Sequence, residues 1–80
     1  MGLDNRSREL LLYLLQHPSQ KSSEIMEHFP LSKRQFNYSF NKINEYLQDN
    51  YLEKINRTKR GIFVIPSMLF TQFNEGIKTS

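Results

Sequence analysis

Lys33, Arg34, Asn37, Tyr38 and Asn41 follow one another at steps of one, three, one and three. That spacing lines side chains up along one side of a helix. Their chemistry is donation: ammonium and guanidinium groups meet phosphates or guanine edges, and a carboxamide pairs in two-point fashion with adenine. Further on, Arg57, Thr58, Lys59 and Arg60 set three cations and a hydroxyl in four consecutive positions. No carboxylate lies between Glu27 and Glu45, and none falls within the cluster Lys54, Arg57, Lys59, Arg60. Seven of the eleven lysines and arginines therefore sit in two acid-free windows, the charge pattern of a chain that meets a polyanion. The net charge of +3 is modest; its segregation carries the argument.

Other chemistries find little support. With no cysteine, thiolate zinc sites, disulfides and cysteine nucleophiles are excluded. His17 and His28 are far apart and have no accompanying ligands, so helix-end roles are expected and no metal site. Glu24 and Glu27 stand one helical turn apart, a spacing more typical of a solvated face than of an acid–base pair. A chain of 80 residues hides about 60–65% of its unfolded surface, which leaves little room for an enclosed catalytic cavity. The expectation is a protein that is not an enzyme, with no cofactor and no small-molecule ligand. The longest apolar run, Leu10–Leu15, falls far short of the roughly 18 residues needed to span a bilayer. Asp4 and the lack of a small-residue cleavage site argue against a secretory signal, and Arg6 stands where myristoylation requires Ser or Thr. A cytoplasmic protein is expected.

The elements that must position the donors follow from periodicity. Leu3–His17 reads as a helix with Asp4 as its cap, Leu10, Leu11, Leu14 and Leu15 as its apolar stripe, and Pro18 as its stop. Ser22 is expected to cap a short second helix, Ser23–Phe29, buried through Ile25, Met26 and Phe29. After Pro30, Ser32-Lys33-Arg34-Gln35 forms a capping box, S-x-x-Q, that opens a third helix running to about Asp49. Along it Phe36, Phe40, Ile43 and Leu47, at steps of 4, 3 and 4, make the buried stripe. Arg34, Tyr38 and Asn41 project opposite, with Lys33, Asn37 and Asn44 on the flanks. The period then becomes extended: Tyr51–Ile55 and Ile62–Ile65 read as two strands, joined by residues 56–61 with Gly61 at the positive-φ position. Met68, Leu69, Phe70 and Phe73 form an apolar patch too short for independent structure, and residues 76–80 look frayed.

Helix, short helix, tight turn, capped polar-faced helix, basic hairpin is the order of a winged helix-turn-helix. The expected fold is mainly α with a small β-hairpin: three helices and a two-stranded wing over residues 1–66, with 67–80 an extension. In such a domain the third helix docks by its N-terminal turns in the major groove of double-stranded DNA. Ser32, Lys33, Arg34, Asn37, Tyr38 and Asn41 would be its readers. Arg57, Thr58, Lys59 and Arg60 would reach the backbone or minor groove, and Lys21 and Ser22 would touch phosphates at the start of helix 2. The rival is a winged helix that docks a protein; such surfaces favour aromatics and are poor in lysine.

Residues 3–65 also resemble a known family. Leu3-x-x-Arg6-x-x-x-Leu10-Leu11, Ser32-Lys33-Arg34-Gln35-Phe36-Asn37, Asn44-Glu45-Tyr46-Leu47 and Arg60-Gly61-Ile62-Phe63 are similar to successive motifs of one module. It is the N-terminal winged helix-turn-helix of bacterial sugar-operon regulators that carry phosphotransferase-system regulation domains, the mannitol-operon-activator type. Pro30 stands where that module has a turn glycine, and Tyr38-Ser39 where it has an Arg-Asp pair. The resemblance implies DNA-binding transcription regulation in the bacterial cytoplasm, downstream regulatory domains, and a homodimer formed through them.

Overall fold

The computed structural model describes the backbone of residues 3–78 and the side chains of residues 3–73. It is mainly helical, with one antiparallel two-stranded hairpin: α1 Asn5–Gln16, α2 Ser22–His28, α3 Lys33–Asp49, β1 Asn56–Arg57, β2 Phe63–Val64 and α4 Ser67–Lys78.

α1 buries Leu10, Leu11 and Leu14 against α3, with Leu15 only half-buried. Asp4 occupies the N-cap position in extended backbone, yet its carboxylate makes no capping bond, contrary to expectation. The first turn is closed by the backbone, Arg8 N–H donating to the Asp4 carbonyl at 2.9 Å. His17 leaves helical geometry at φ −131°, ψ 65°, as a residue ahead of proline must.

α2 begins one residue earlier than its sequence suggests. Lys21, not Ser22, is the N-cap, and Glu24 Oε1 accepts its N–H at 2.8 Å. The reason lies in the hairpin: Ser22 N–H donates to the Gly61 carbonyl at 2.9 Å, so this stretch is held from outside the helix. α3 starts as its capping box dictates. Ser32 Oγ accepts from Gln35 N–H at 3.1 Å, and Gln35 Oε1 accepts from Ser32 N–H at 3.0 Å.

α3 ends in a Schellman motif. Leu52 N–H donates to the Leu47 carbonyl at 2.8 Å and Tyr51 N–H to Gln48 at 3.1 Å, with Tyr51 left-handed at φ 60°. Residues 51–55 were expected to form the first strand; helix closure and a side chain claim them instead. Asn44 Oδ1 accepts Ile55 N–H at 2.8 Å, and Asn44 Nδ2 donates to the Ile55 carbonyl at 3.0 Å. A strand neighbour can no longer use either group, so pairing begins only at Asn56, opposite Val64, with Arg57 opposite Phe63. At the tip Thr58 N–H bonds the Ile62 carbonyl at 2.8 Å and Gly61 N–H bonds Thr58 at 3.0 Å. Gly61 at φ 82° completes a three-residue loop. A bridge between Lys21 and Ile62 ties β2 back to the start of α2.

The core joins the α1 leucines and Ile25 to Phe36, Phe40, Ile43 and Leu47 of α3, then to Ile55, Phe63 and Leu69. Leu69 is a finding of the fold. The apolar patch expected to lack structure lies in α4, with Leu69 wholly buried and Phe73 packed at the edge. Residues 76–78 continue that helix; of the segment expected to fray, 79 and 80 lie outside the described residues.

Candidate nucleic-acid interface

The apolar stripe of α3 faces inward, and Lys33, Asn37, Asn41 and Asn44 lie on its flank toward the hairpin. Arg57 sits on that boundary. Its guanidinium lies over the rings of Phe36 and Phe40, 5.8 and 5.4 Å from their centroids. Those rings are themselves packed on Phe63, at 6.0 and 5.5 Å between centroids. A cation on the outer surface of an aromatic cluster is attracted by the ring quadrupoles and held in a fixed orientation. Arg57 is exposed, as expected, but it is also a packing element, which its sequence position does not reveal.

Two grooves open on either side of Arg57. The first, of about 480 Å³, lies between the start of α2, the start of α3 and the hairpin tip. Ser22, Ser23, Lys33, Thr58, Lys59 and Arg60 contribute to its walls, Met26 and Phe36 to its floor, and no carboxylate lines it. The tip is tied to its neighbours: Thr58 Oγ1 accepts Ile62 N–H at 3.2 Å, and Gly61 lies so close to Ser22 that a Cβ there would be 2.7 Å from Ser22 Oγ. Lys59 and Arg60 are thereby held beside Lys33. The second groove, of about 410 Å³, lies between α3 and β1 and is lined by Asn37, Asn41, Asn44, Lys54, Asn56 and Arg57, with Phe40 beneath.

The structure thus brings together most of the expected residues. Lys33, Arg57, Thr58, Lys59, Arg60 and Ser22 share one groove; Asn37 and Asn41 share the other with Arg57. Arg34 and Tyr38 are exposed further round α3 and line neither groove; Tyr38 carries Lys42 Nζ 5.6 Å above its ring. Ser32 is committed to the helix cap. The Lys21 side chain is exposed beside the bridge to Ile62. Two contributors, Ser23 and Asn56, carry no signal in the sequence, while Lys54 belongs to the second acid-free cluster, which by itself assigns it no contact. Helical spacing puts Asn44 on the polar flank, whereas in the fold its amide is a clamp on Ile55. A polar residue with hydrophobic neighbours at helical spacing looks the same in either role, so only the fold separates them. His17 and His28, expected to lie far apart, instead both pack on the Tyr13 ring, 4.3 and 4.4 Å between centroids, because the fold brings the ends of α1 and α2 together.

Compared with family models, curated proteins and solved structures, this chain matches none. The two grooves differ in what they can bind. Four cations with serine and threonine hydroxyls suit phosphate oxygens, whereas neutral amides suit base edges.

Proposed function

We propose that this domain is a winged helix-turn-helix that binds double-stranded DNA sequence-specifically, as part of a bacterial transcription regulator acting in the cytoplasm. The observation that carries the reading is the first groove. Lys33, Arg57, Lys59 and Arg60 converge on it from two elements, with Ser22 and Ser23 alongside and no carboxylate on its walls. Four like charges repel one another; the gathering makes physical sense when a chain of phosphates neutralises them. The element order supports the same reading, since the helix–turn–helix of α2 and α3 is followed directly by the basic hairpin.

In this arrangement the N-terminal half of α3 enters the major groove, backed by Phe36 and Phe40. Lys33 and the hairpin cations hold the adjoining backbone. Because the hairpin tip is fastened to the start of α2, Lys59 and Arg60 serve the same stretch of backbone as Lys33. Arg34, exposed near the start of α3, reaches outward to a base edge. The resemblance to sugar-operon regulators adds a homodimer assembled through further domains.

A salt titration on random-sequence duplex tests the reading without knowledge of an operator. With about four to six phosphates neutralised, log K falls against log salt with a slope of about −4 to −5. Binding that ignores salt, or no binding at low salt, would assign this surface to a protein partner instead.

A further inference from the structure

The two sides of Arg57 differ in chemistry. Where the first groove is hydroxyl and cation, the polar wall of the second is carboxamide: Asn37 and Asn41 from α3, Asn44 behind them, and Asn56 from β1. Both atoms of the Asn44 amide are taken by Ile55. Asn41 and Asn56 are exposed. Asn37 is half-buried, and its Oδ1 is shielded from solvent with no hydrogen-bond partner. An unpaired buried carbonyl is costly, and a turn of this side chain toward a donor in the groove relieves it.

A carboxamide presents one donor and one acceptor side by side. The major-groove edge of adenine presents the complement, an N6 amino donor and an N7 acceptor, whereas guanine presents two acceptors and is matched by a cation. Of the two cations on this wall, Arg57 is laid over the Phe36 and Phe40 rings. Lys54 is an exposed point charge on a flexible stem, suited to phosphate at the rim. Asn37 and Asn41 are one turn apart, about 6 Å along the helix, close to the rise of two base pairs at about 3.4 Å each. We propose that this groove reads adenine: Asn41 and Asn37 bond the major-groove edges of adenines two base-pair steps apart, so the preferred site is A·T-rich where it faces the cleft. The inference rests on the DNA-binding reading and names the sequence class that reading leaves open.

The test is fluorescence anisotropy of the 80-residue chain with three matched short duplexes: A·T only, the same duplex with 7-deazaadenine in place of adenine, and G·C only. The 7-deaza base lacks the N7 acceptor but keeps its Watson–Crick pairing. The A·T duplex should bind about tenfold or more tighter than the G·C duplex, the discrimination expected of one good two-point contact. The 7-deaza substitution should remove most of that gain. Asn41→Ala should cut the A·T preference severalfold, with an unaltered thermal melt. Equal binding to A·T and G·C overturns the proposal, as does an A·T preference that survives both the 7-deaza base and Asn41→Ala. Either of those outcomes leaves DNA binding standing, whereas failure to bind any duplex overturns both.

Discussion

Arg34 and Arg57 carry the same group into different surroundings, and that difference predicts different losses. Arg34 projects from the start of α3 and touches neither groove, so Arg34→Ala removes a contact made only on a matching site. Its affinity for a selected site should fall by about 1–3 kcal/mol while random-duplex affinity changes much less. Arg57 lies over Phe36 and Phe40. Arg57→Ala should weaken both duplexes nearly equally and lower the salt slope by about one. It should also cost about 0.5–1 kcal/mol in a thermal melt, from the lost ring contact. Equal losses on both duplexes from Arg34→Ala would make α3 a backbone contact only. Asn44 poses a test of another kind. Removing its amide strands the N–H and carbonyl of Ile55, a residue only 1% exposed. Asn44→Ala should cost about 2–3 kcal/mol in chemical denaturation, and a shift under about 0.5 kcal/mol would mean those groups find other partners.

At the scale of elements, sequence and structure agree where a local signal is decisive. The capping box starts α3 at Lys33, Phe36 through Leu47 define its buried face, and Gly61 takes the left-handed position of the loop. They part where a distant group decides. The first strand shifts to Asn56–Arg57 because Asn44, eleven residues away, captures Ile55. α2 starts at Ser22 because the hairpin tip captures its N–H, and α4 forms because Leu69 has a core to enter. None of these partners is adjacent in sequence. The donors of the candidate interface were legible as types and spacing; their division by Arg57 into a cationic and an amide groove was not. The end of α3 offers a prediction of its own. Tyr51 is 95% exposed yet held at φ 60° in the Schellman motif, a position where glycine carries no side-chain penalty. Tyr51→Gly should stabilise the domain by about 1 kcal/mol, raising Tm by about 4–8 °C. A lower melting temperature would show that the tyrosine ring contributes more than its backbone costs.

Across the whole molecule, cations gather beside Arg57, whereas exposed apolar side chains are scattered over several elements. The grooves beside Arg57 hold Lys33, Lys54, Lys59 and Arg60, while Tyr38, Ile62, Val64 and Met68 are exposed on α3, the hairpin and the start of α4. Duplex DNA should therefore centre on the two grooves and a partner drawn to apolar surface on Val64 and Met68, and a residue-by-residue map of binding separates them. Backbone amide shifts of the isotope-labelled domain, followed by NMR as duplex DNA is added, give that map directly. The account predicts that the largest shifts fall on residues 21–23, 33–41 and 54–61. The outer side of α1 and the Tyr51 end of α3 should stay unmoved. Shifts centred instead on Val64, Met68 and α4, or spectra unchanged by DNA at low salt, would contradict it.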